Sequence, residues 1–128
     1  MHARKYGGGL VTWSPLARGW LTRKYLKGVS PDSRSAKHPE WKDMQLDTPL
    51  GKRRLEAVSK ILKIVEREGY EPVPFAVAWV LKNPDITSPI IGPRTIEQLE
   101  TYLKALELDI PDEIMKEIDE TVPPGTSL

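Results

Sequence analysis

Two stretches of the chain place residues capable of chemistry directly behind β-favouring runs. The first, TSPIIGPRTIEQLE (87–100), carries Pro89, Ile90 and Ile91, then Gly92-Pro93, then Arg94, with a helix start at Thr95. The free N–H groups of a first helical turn and a neighbouring guanidinium converge on an anion, and a guanidinium grips phosphate through two parallel hydrogen bonds. An arginine at the positive end of a helix dipole is otherwise disfavoured. An anion between the two would remove that conflict. Pro93 brings no N–H, so this is not a glycine-rich cradle. Taken alone, the pattern is served equally well by an Arg94 that reaches solvent and a Gly92 that only makes a turn.

The second stretch, TWSPLARGWLTRKY (12–25), offers Ser14, the backbone N–H groups from Ala17 to Gly19, and Arg18, with Trp13 and Trp20 on either side. A tryptophan at a strand's C-terminal end is either core or a stacking platform for a planar ring. For a lone tryptophan, core is the commoner role. Other candidates are weaker. His2 and His38 have no second ligand at metal spacing and are expected to face solvent. Tyr6, Tyr25, Tyr70 and Tyr102 lack an adjacent lysine or histidine that would make one of them an acid. Lys52-Arg53-Arg54 reads as a solvated helix start rather than a nucleic-acid patch, and EIMKEIDE (113–120) as a surface helix rather than a carboxylate pair.

Elements that could position these residues follow from pattern. Leu10-Val11-Thr12-Trp13, between Gly7-Gly8-Gly9 and Ser14-Pro15, reads as one buried strand. Residues 28–51 are polar, contain Pro31, Pro39 and Pro49, and read as a long loop. From Lys52 to Glu68, Leu55, Val58, Ile61, Leu62 and Val65 share one helical face, and Gly69 is placed to end the helix. Phe75 to Lys82 is apolar nearly all round, hence a deeply packed helix that Asn83-Pro84 stops. Thr87 to Ile91 is the second strand. Thr95 and Gln98 have capping-box spacing, and Leu99, Leu103 and Leu106 are expected to form the inner face of the helix they open. A last helix starts near Pro111, with Asp112 and Glu113 in its first turn. Residues 123–128 are expected to be a loose tail.

Two strands joined through helices indicate a parallel α/β arrangement. A two-stranded parallel sheet has both edges open and too few neighbours. The chain is therefore expected to be part of something larger, or to associate. Its 128 residues suit a single domain. With 19 Lys plus Arg against 18 Asp plus Glu, there is no strong field to attract nucleic acid or an anionic membrane. No apolar run reaches the length of a membrane span, and MHARKYGGGL lacks the apolar core of a signal peptide. The expected location is the cytoplasm. With no cysteine, disulfides, zinc thiolate sites and thiol catalysis are excluded.

WSPLARGWLTRKY resembles a pattern of the aldo-keto reductases, aromatic-Ser-Pro-Leu-x-x-Gly-x-Leu-Thr-Gly-Lys-Tyr, which follows their seventh barrel strand. PIIGPRTIEQLE with LKALELDIPDEIMKEID is similar to that family's eighth strand, cofactor loop and last helices. FAVAWVLKNPDITSPIIG fits the same order, so the resemblance runs over essentially the whole chain. It implies a helix-rich α/β chain. Residues 1–128 would be a partial TIM (β/α)8 barrel: the last two βα units, from about strand seven, plus the C-terminal helices. Phosphate sites after strands seven and eight recur in such barrels.

The implied cofactor is NADP. By the same resemblance Trp13 stacks on the nicotinamide, Ser14, Leu16, Arg18, Gly19 and Leu21 surround the pyrophosphate, and Gly92, Arg94 and Gln98 hold the adenosine 2′-phosphate and ribose. Arg94 would favour NADP over NAD by pairing with the extra phosphate. Three departures stand out. Arg23 replaces the family's glycine before Lys24-Tyr25, and Thr101-Tyr102 replace an acidic-Asn pair one turn after Gln98. The family's catalytic Asp, Tyr, Lys and His have no counterpart here, and a full barrel takes roughly 250 residues.

The implied role is the NADP-binding C-terminal portion of an oxidoreductase, inactive by itself and partnered by a separate N-terminal barrel half or by self-association. The alternatives are a non-catalytic nucleotide-binding or assembly module, and a truncated gene product.

Overall fold

A computed structural model describes residues 5–126; His2 and the last two residues of the expected tail lie outside them. Strand β1 (Val11–Trp13) and strand β2 (Ser88–Ile90) pair in parallel, with Val11 opposite Ser88, Thr12 opposite Pro89 and Trp13 opposite Ile90. The pairing is extended at its start, where the Thr87 N–H donates to the Leu10 carbonyl at 2.8 Å and the Leu10 N–H to Thr87 Oγ1 at 3.1 Å.

Between the strands run α1 (Arg34–Lys37), α2 (Pro49–Arg67) and α3 (Pro72–Lys82); α4 (Ile96–Leu103) and α5 (Asp112–Thr121) follow β2. Short 3-10 turns at 17–19, 23–27, 42–44 and 104–107 complete the path. The result is a helix-rich α/β chain with one small parallel sheet. Among the described residues no helix is long and apolar enough to cross a membrane.

The apolar material forms two cores. Ile64 and Val65 of α2, Phe75, Val77 and Ala78 of α3, Ala105, Ile110, and Ile114 and Ile118 of α5 make the first. Trp20, Tyr25, Met44, Val58 and Leu62 make the second, with Leu21, Trp41, Leu46 and Leu55 against it. Helix α2 serves both, which explains its length. Its start is set three residues before the expected Lys52: Thr48 accepts the Gly51 N–H on Oγ1 at 2.9 Å, and Pro49 occupies the first turn. Gly51 is required there, because a Cβ would sit 2.0 Å from the Gln45 carbonyl oxygen.

Three expectations change. The 28–51 segment is no featureless loop: it holds α1, capped by Ser33, and the 42–44 turn, and it buries Ser33, Ser35 and Met44. Gln45 fastens it, its Nε2 lying within 3.4 Å of the Ser35, His38 and Trp41 carbonyls. Such side-chain-to-carbonyl ties leave no periodic signature. Strand β1 is not buried: Val11 is 57% and Trp13 78% exposed, since among the described residues little covers that face of the two-stranded sheet. The third change concerns α4. Leu99 is 39%, Leu103 48% and Leu106 73% exposed, so their stripe is not an inner face in this chain. A crossover helix covers a sheet several strands wide, and among the described residues no further strand lies beside β2 for these leucines to cover.

Candidate functional site

The loop after β1 is built on left-handed backbone. Ser14, Ala17 and Arg18 have φ of 57°, 47° and 57°, and Gly19 has φ of 97°. Non-glycine residues hold this region at a cost of roughly 1–2 kcal/mol each, and such strain clusters at ligand sites. Of the three N–H groups between Ala17 and Gly19, two are turned inward: Ala17 donates to the Ser14 carbonyl and Gly19 to the Leu16 carbonyl, both at 2.8 Å. Leu21 N–H also returns to the Leu16 carbonyl. The loop is thus self-fastened rather than an open row of donors.

After β2 the chain reaches Gly92, Pro93 and Arg94 and enters α4. Thr95 Oγ1 accepts the Gln98 N–H at 3.2 Å, as the capping-box spacing requires. Gln98 Oε1 does not return to Thr95; it accepts the Arg94 N–H at 2.8 Å. The cap therefore extends one residue back and fixes the backbone of the arginine itself. No atom lies within 4 Å of where a Gly92 Cβ would be, and its backbone stands open to the cleft.

Because β1 and β2 are parallel neighbours, both loops emerge at the same end of the sheet. Between them opens a cleft of about 670 Å³. Eight of the nine predicted cofactor residues line it: Trp13, Ser14, Leu16, Arg18 and Gly19 from the first loop, Gly92, Arg94 and Gln98 from the second. Leu21 does not. It packs on the second core and faces a smaller, largely apolar cleft of about 370 Å³ on the other side of the loop. Trp13, Ser14 and Arg18 line both clefts.

Arg18 is occupied within the chain. Its Nη1 pairs with Asp43 Oδ2 at 2.9 Å, and its guanidinium lies over the Trp41 ring at 5.2 Å. Trp41 in turn stacks on His38 at 4.0 Å, and His38 Nδ1 lies 3.0 Å from Glu40 Oε1, so His38 is half-buried rather than free in solvent. Arg54, expected to be a solvated helix-start cation, is half-buried and donates to the Asp43 carbonyl.

Positions 28–51 supply what the motif reading passed over. Arg34 of α1 lines the same cleft as Lys24 and Arg94. Among the described residues none of these three is ion-paired to a carboxylate, whereas Lys37 pairs with Asp32 at 3.2 Å and Arg18 with Asp43. Partial burial of the Lys24 ammonium, then Arg34 and Arg94, lower its pKa below the ordinary lysine value. Burial raises that of Tyr102, against the pull of Arg34. Thr101 and Tyr102 also line the cleft, but the Thr101 hydroxyl donates to the Glu97 carbonyl at 2.8 Å. The one sequence signal for Arg34 was a cation at the start of a Ser-capped turn, too weak to single out.

The aldo/keto reductase family model matches residues 1–123. The chain belongs to the aldo/keto reductase family. Among curated relatives, the chain is 42% identical over 117 residues to a Schizosaccharomyces pombe protein provisionally named a voltage-gated potassium channel subunit beta, covering 90% of this chain and 34% of that one. To the Bacillus subtilis uncharacterized oxidoreductase YrpG it is 40% identical over 124 residues, 96% of this chain and 35% of that. To the L-glyceraldehyde 3-phosphate reductase of Escherichia coli O157:H7 it is 33% identical over 122 residues, 93% and 35% respectively. The fold is similar to that of glycerol dehydrogenase AKR11B4 from Gluconobacter oxydans, with a TM-score of 0.73 at 23% identity over 98% of this chain and 38% of that one. The chain thus spans about a third of the length of these curated relatives.

The residues present fit a nicotinamide dinucleotide. An exposed indole at the mouth of the cleft suits a planar ring, a glycine with open space around it admits close backbone approach, and unpaired cations suit phosphates.

Proposed function

We propose that this chain is the C-terminal portion of an aldo/keto reductase barrel, its last two βα units with the closing helices, and that it carries the grip on NADP. The observation that bears this reading is the convergence of eight motif residues, Arg94 among them, on one cleft that Lys24 and Arg34 also line; none of these three cations pairs with a carboxylate among the described residues. Three unneutralised cations ask for an anion of more than one charge, and NADP carries one phosphate more than NAD.

In this reading Trp13 presents its face to the nicotinamide, the Ser14–Gly19 loop borders the pyrophosphate, and Gly92, Arg94 and Gln98 take the adenosine side. Arg34 and Lys24 share the 2′-phosphate with Arg94. The cofactor supplies the hydride for a carbonyl carbon. The chain's own residues bind and orient it, with Gln98 holding the Arg94 backbone still. An acid to protonate the carbonyl oxygen has no counterpart among the motif residues, so reduction depends on a further portion of barrel, covalently attached or as a separate chain. Purified alone, the chain is expected to give no NADPH-dependent reduction of common aldehydes above background.

The test is a titration of NADPH against NADH, followed by tryptophan fluorescence. Quenching that needs Trp13, favours NADPH and disappears in Arg94→Ala supports the reading. Equal affinity for the two, or quenching that survives Arg94→Ala, removes the 2′-phosphate role.

A second reading, an assembly module, is favoured by a separate observation. Val11, Trp13 and Ile90 on the sheet and Ile96, Leu103 and Leu106 beside α4 are all exposed apolar side chains. Such a surface marks an interaction site. A dimer mass in light scattering with a flat NADPH titration would put this reading first.

A further inference from the structure

The 14–19 loop is strained, and the surface it leans on is firmly held. Ser14, Ala17 and Arg18 keep left-handed backbone without being glycine. Residues persist in that region only where their surroundings over-determine them. The loop's own hydrogen bonds are a weak hold. Ala17 donates to the Ser14 carbonyl and Gly19 to the Leu16 carbonyl, but Ser14 and Ala17 are exposed, so water competes for these groups. Among the described residues, one side chain of the loop makes a hydrogen bond or ion pair to another element, and it is Arg18. Its Nη1 donates to Asp43 Oδ2 at 2.9 Å, and its guanidinium lies 5.2 Å from the centre of the Trp41 ring. Arg18 stands at an unspecified position of the motif, and Trp41 and Asp43 lie outside it, so the motif assigns this contact no role.

The receiving side is fastened from several directions. Trp41 lies flat on His38, with ring planes 9° apart, and packs against the second core. Asp43 precedes Met44, which is 1% exposed. The Asp43 carbonyl accepts an N–H from Arg54 of α2, whose Nη1 also stands 3.9 Å from Asp43 Oδ2. Behind them Gln45 spans three carbonyls, and the Thr48 hydroxyl donates to the Gln45 carbonyl at 2.9 Å. A strained loop tied by one side chain to a fixed platform takes its shape from the platform.

We propose that Arg18 is a conformational clip: pinned by Asp43 and Trp41, it holds residues 14–19 in their left-handed form, and its release lets the loop relax to negative φ. Positive φ at Ala17 and Arg18 accompanies the inward turn of the Ala17 and Gly19 N–H groups, so relaxation frees both donors. The effect reaches two places at once. Trp13, Ser14 and Arg18 line both clefts, so the loop is their common wall, and a change in its backbone reshapes the two together. The proposal needs no bound nucleotide and stands apart from that reading.

The test is solution NMR of the intact chain without ligand. In the parent, strong cross-peaks between each residue's own N–H and Hα at Ala17 and Arg18 should report positive φ. Asp43→Asn keeps the side chain's shape and the backbone carbonyl but removes the charge; Arg18→Gln removes the indole contact as well. Amide exchange at Ala17 and Gly19 should quicken about threefold in the first variant and about tenfold in the second, the sizes of a lost exposed ion pair and of that pair with a cation–π contact. The two cross-peaks should weaken in the same order. The amides of Met44 and Gly51, which donate to the Trp41 carbonyl and to Thr48 Oγ1, should not change. Lys37→Gln breaks the exposed pair with Asp32 on the same segment and should leave the loop as it is. Loop amides and cross-peaks that ignore both variants, or Met44 and Gly51 amides that loosen as much as the loop, overturn the proposal.

Discussion

Gln98 reaches back past the helix start and holds the backbone of Arg94, accepting its N–H on Oε1 at 2.8 Å. One side chain thereby joins the helix cap to the residue assigned to the phosphate. Gln98→Glu keeps the acceptor but sets a negative charge beside the anion site. It should unfold within about 0.5 kcal/mol of the parent, while NADPH affinity falls. Gln98→Ala removes the acceptor and should lower stability by about 0.5–1 kcal/mol, the range of a lost cap. Thermal melts and NADPH titrations of both variants check the separation.

Gly92 and Gly51 should respond oppositely to alanine. At Gly92 a Cβ meets nothing within 4 Å, so stability should move by less than about 0.5 kcal/mol, and any loss should appear in nucleotide binding alone. At Gly51 the Cβ would press on the Gln45 carbonyl and the Leu46 backbone, which cannot yield as a flexible side chain does. Gly51→Ala should destabilise by roughly 1–3 kcal/mol, as overpacking does. Denaturant unfolding of the two variants measures the contrast.

Arg67 of α2 clasps Glu117 of α5 through its two terminal nitrogens, Nη1 and Nη2 donating to Oε1 and Oε2 at 2.9 and 2.6 Å. The hydrogen bonds to Arg67 hold the Glu117 carboxyl below the ordinary value of 4.5. A carboxyl whose pKa is lowered on folding contributes stability that is present above pH 4.5 and is lost as pH falls through the lower, folded value. Glu117→Gln should therefore reduce stability at neutral pH and flatten the acid limb of the stability profile. Unfolding midpoints between pH 7 and pH 3 test it; an unchanged acid limb would show that the clasp contributes nothing.

The apolar stripe on α4 and the 104–107 turn after it should tolerate polar substitution. Ile96 is 72% and Leu106 73% exposed, and α4 has no buried residue. Ile96→Ser together with Leu106→Ser should leave the fold within about 1 kcal/mol of the parent, since little buried apolar area is lost. Self-association should fall, and docking of the remaining barrel portion should weaken. Light scattering measures the first effect and co-expression with that portion the second. A collapse of the monomer's own stability would show that the stripe is internal after all.

What the sequence determined by itself was local. Thr95 and Gln98 marked a helix start because capping needs only a few consecutive residues, and the β1 and β2 runs announced themselves by composition. The two motifs named a family because each is a contiguous string. The tertiary structure alone decided which side chains meet. Leu21 sits inside the first motif yet faces the apolar side of its loop, because backbone with positive φ reverses the chain's direction within a few residues. Arg34, outside any motif, joins Lys24 and Arg94 because α1 folds back over the cleft between two loops that parallel pairing brings to one end. The leucines of α4 carry a helical period that announces an inner face, but periodicity shows only that a face is apolar. Whether it is covered depends on a neighbouring strand, and among the described residues β2 has one such neighbour.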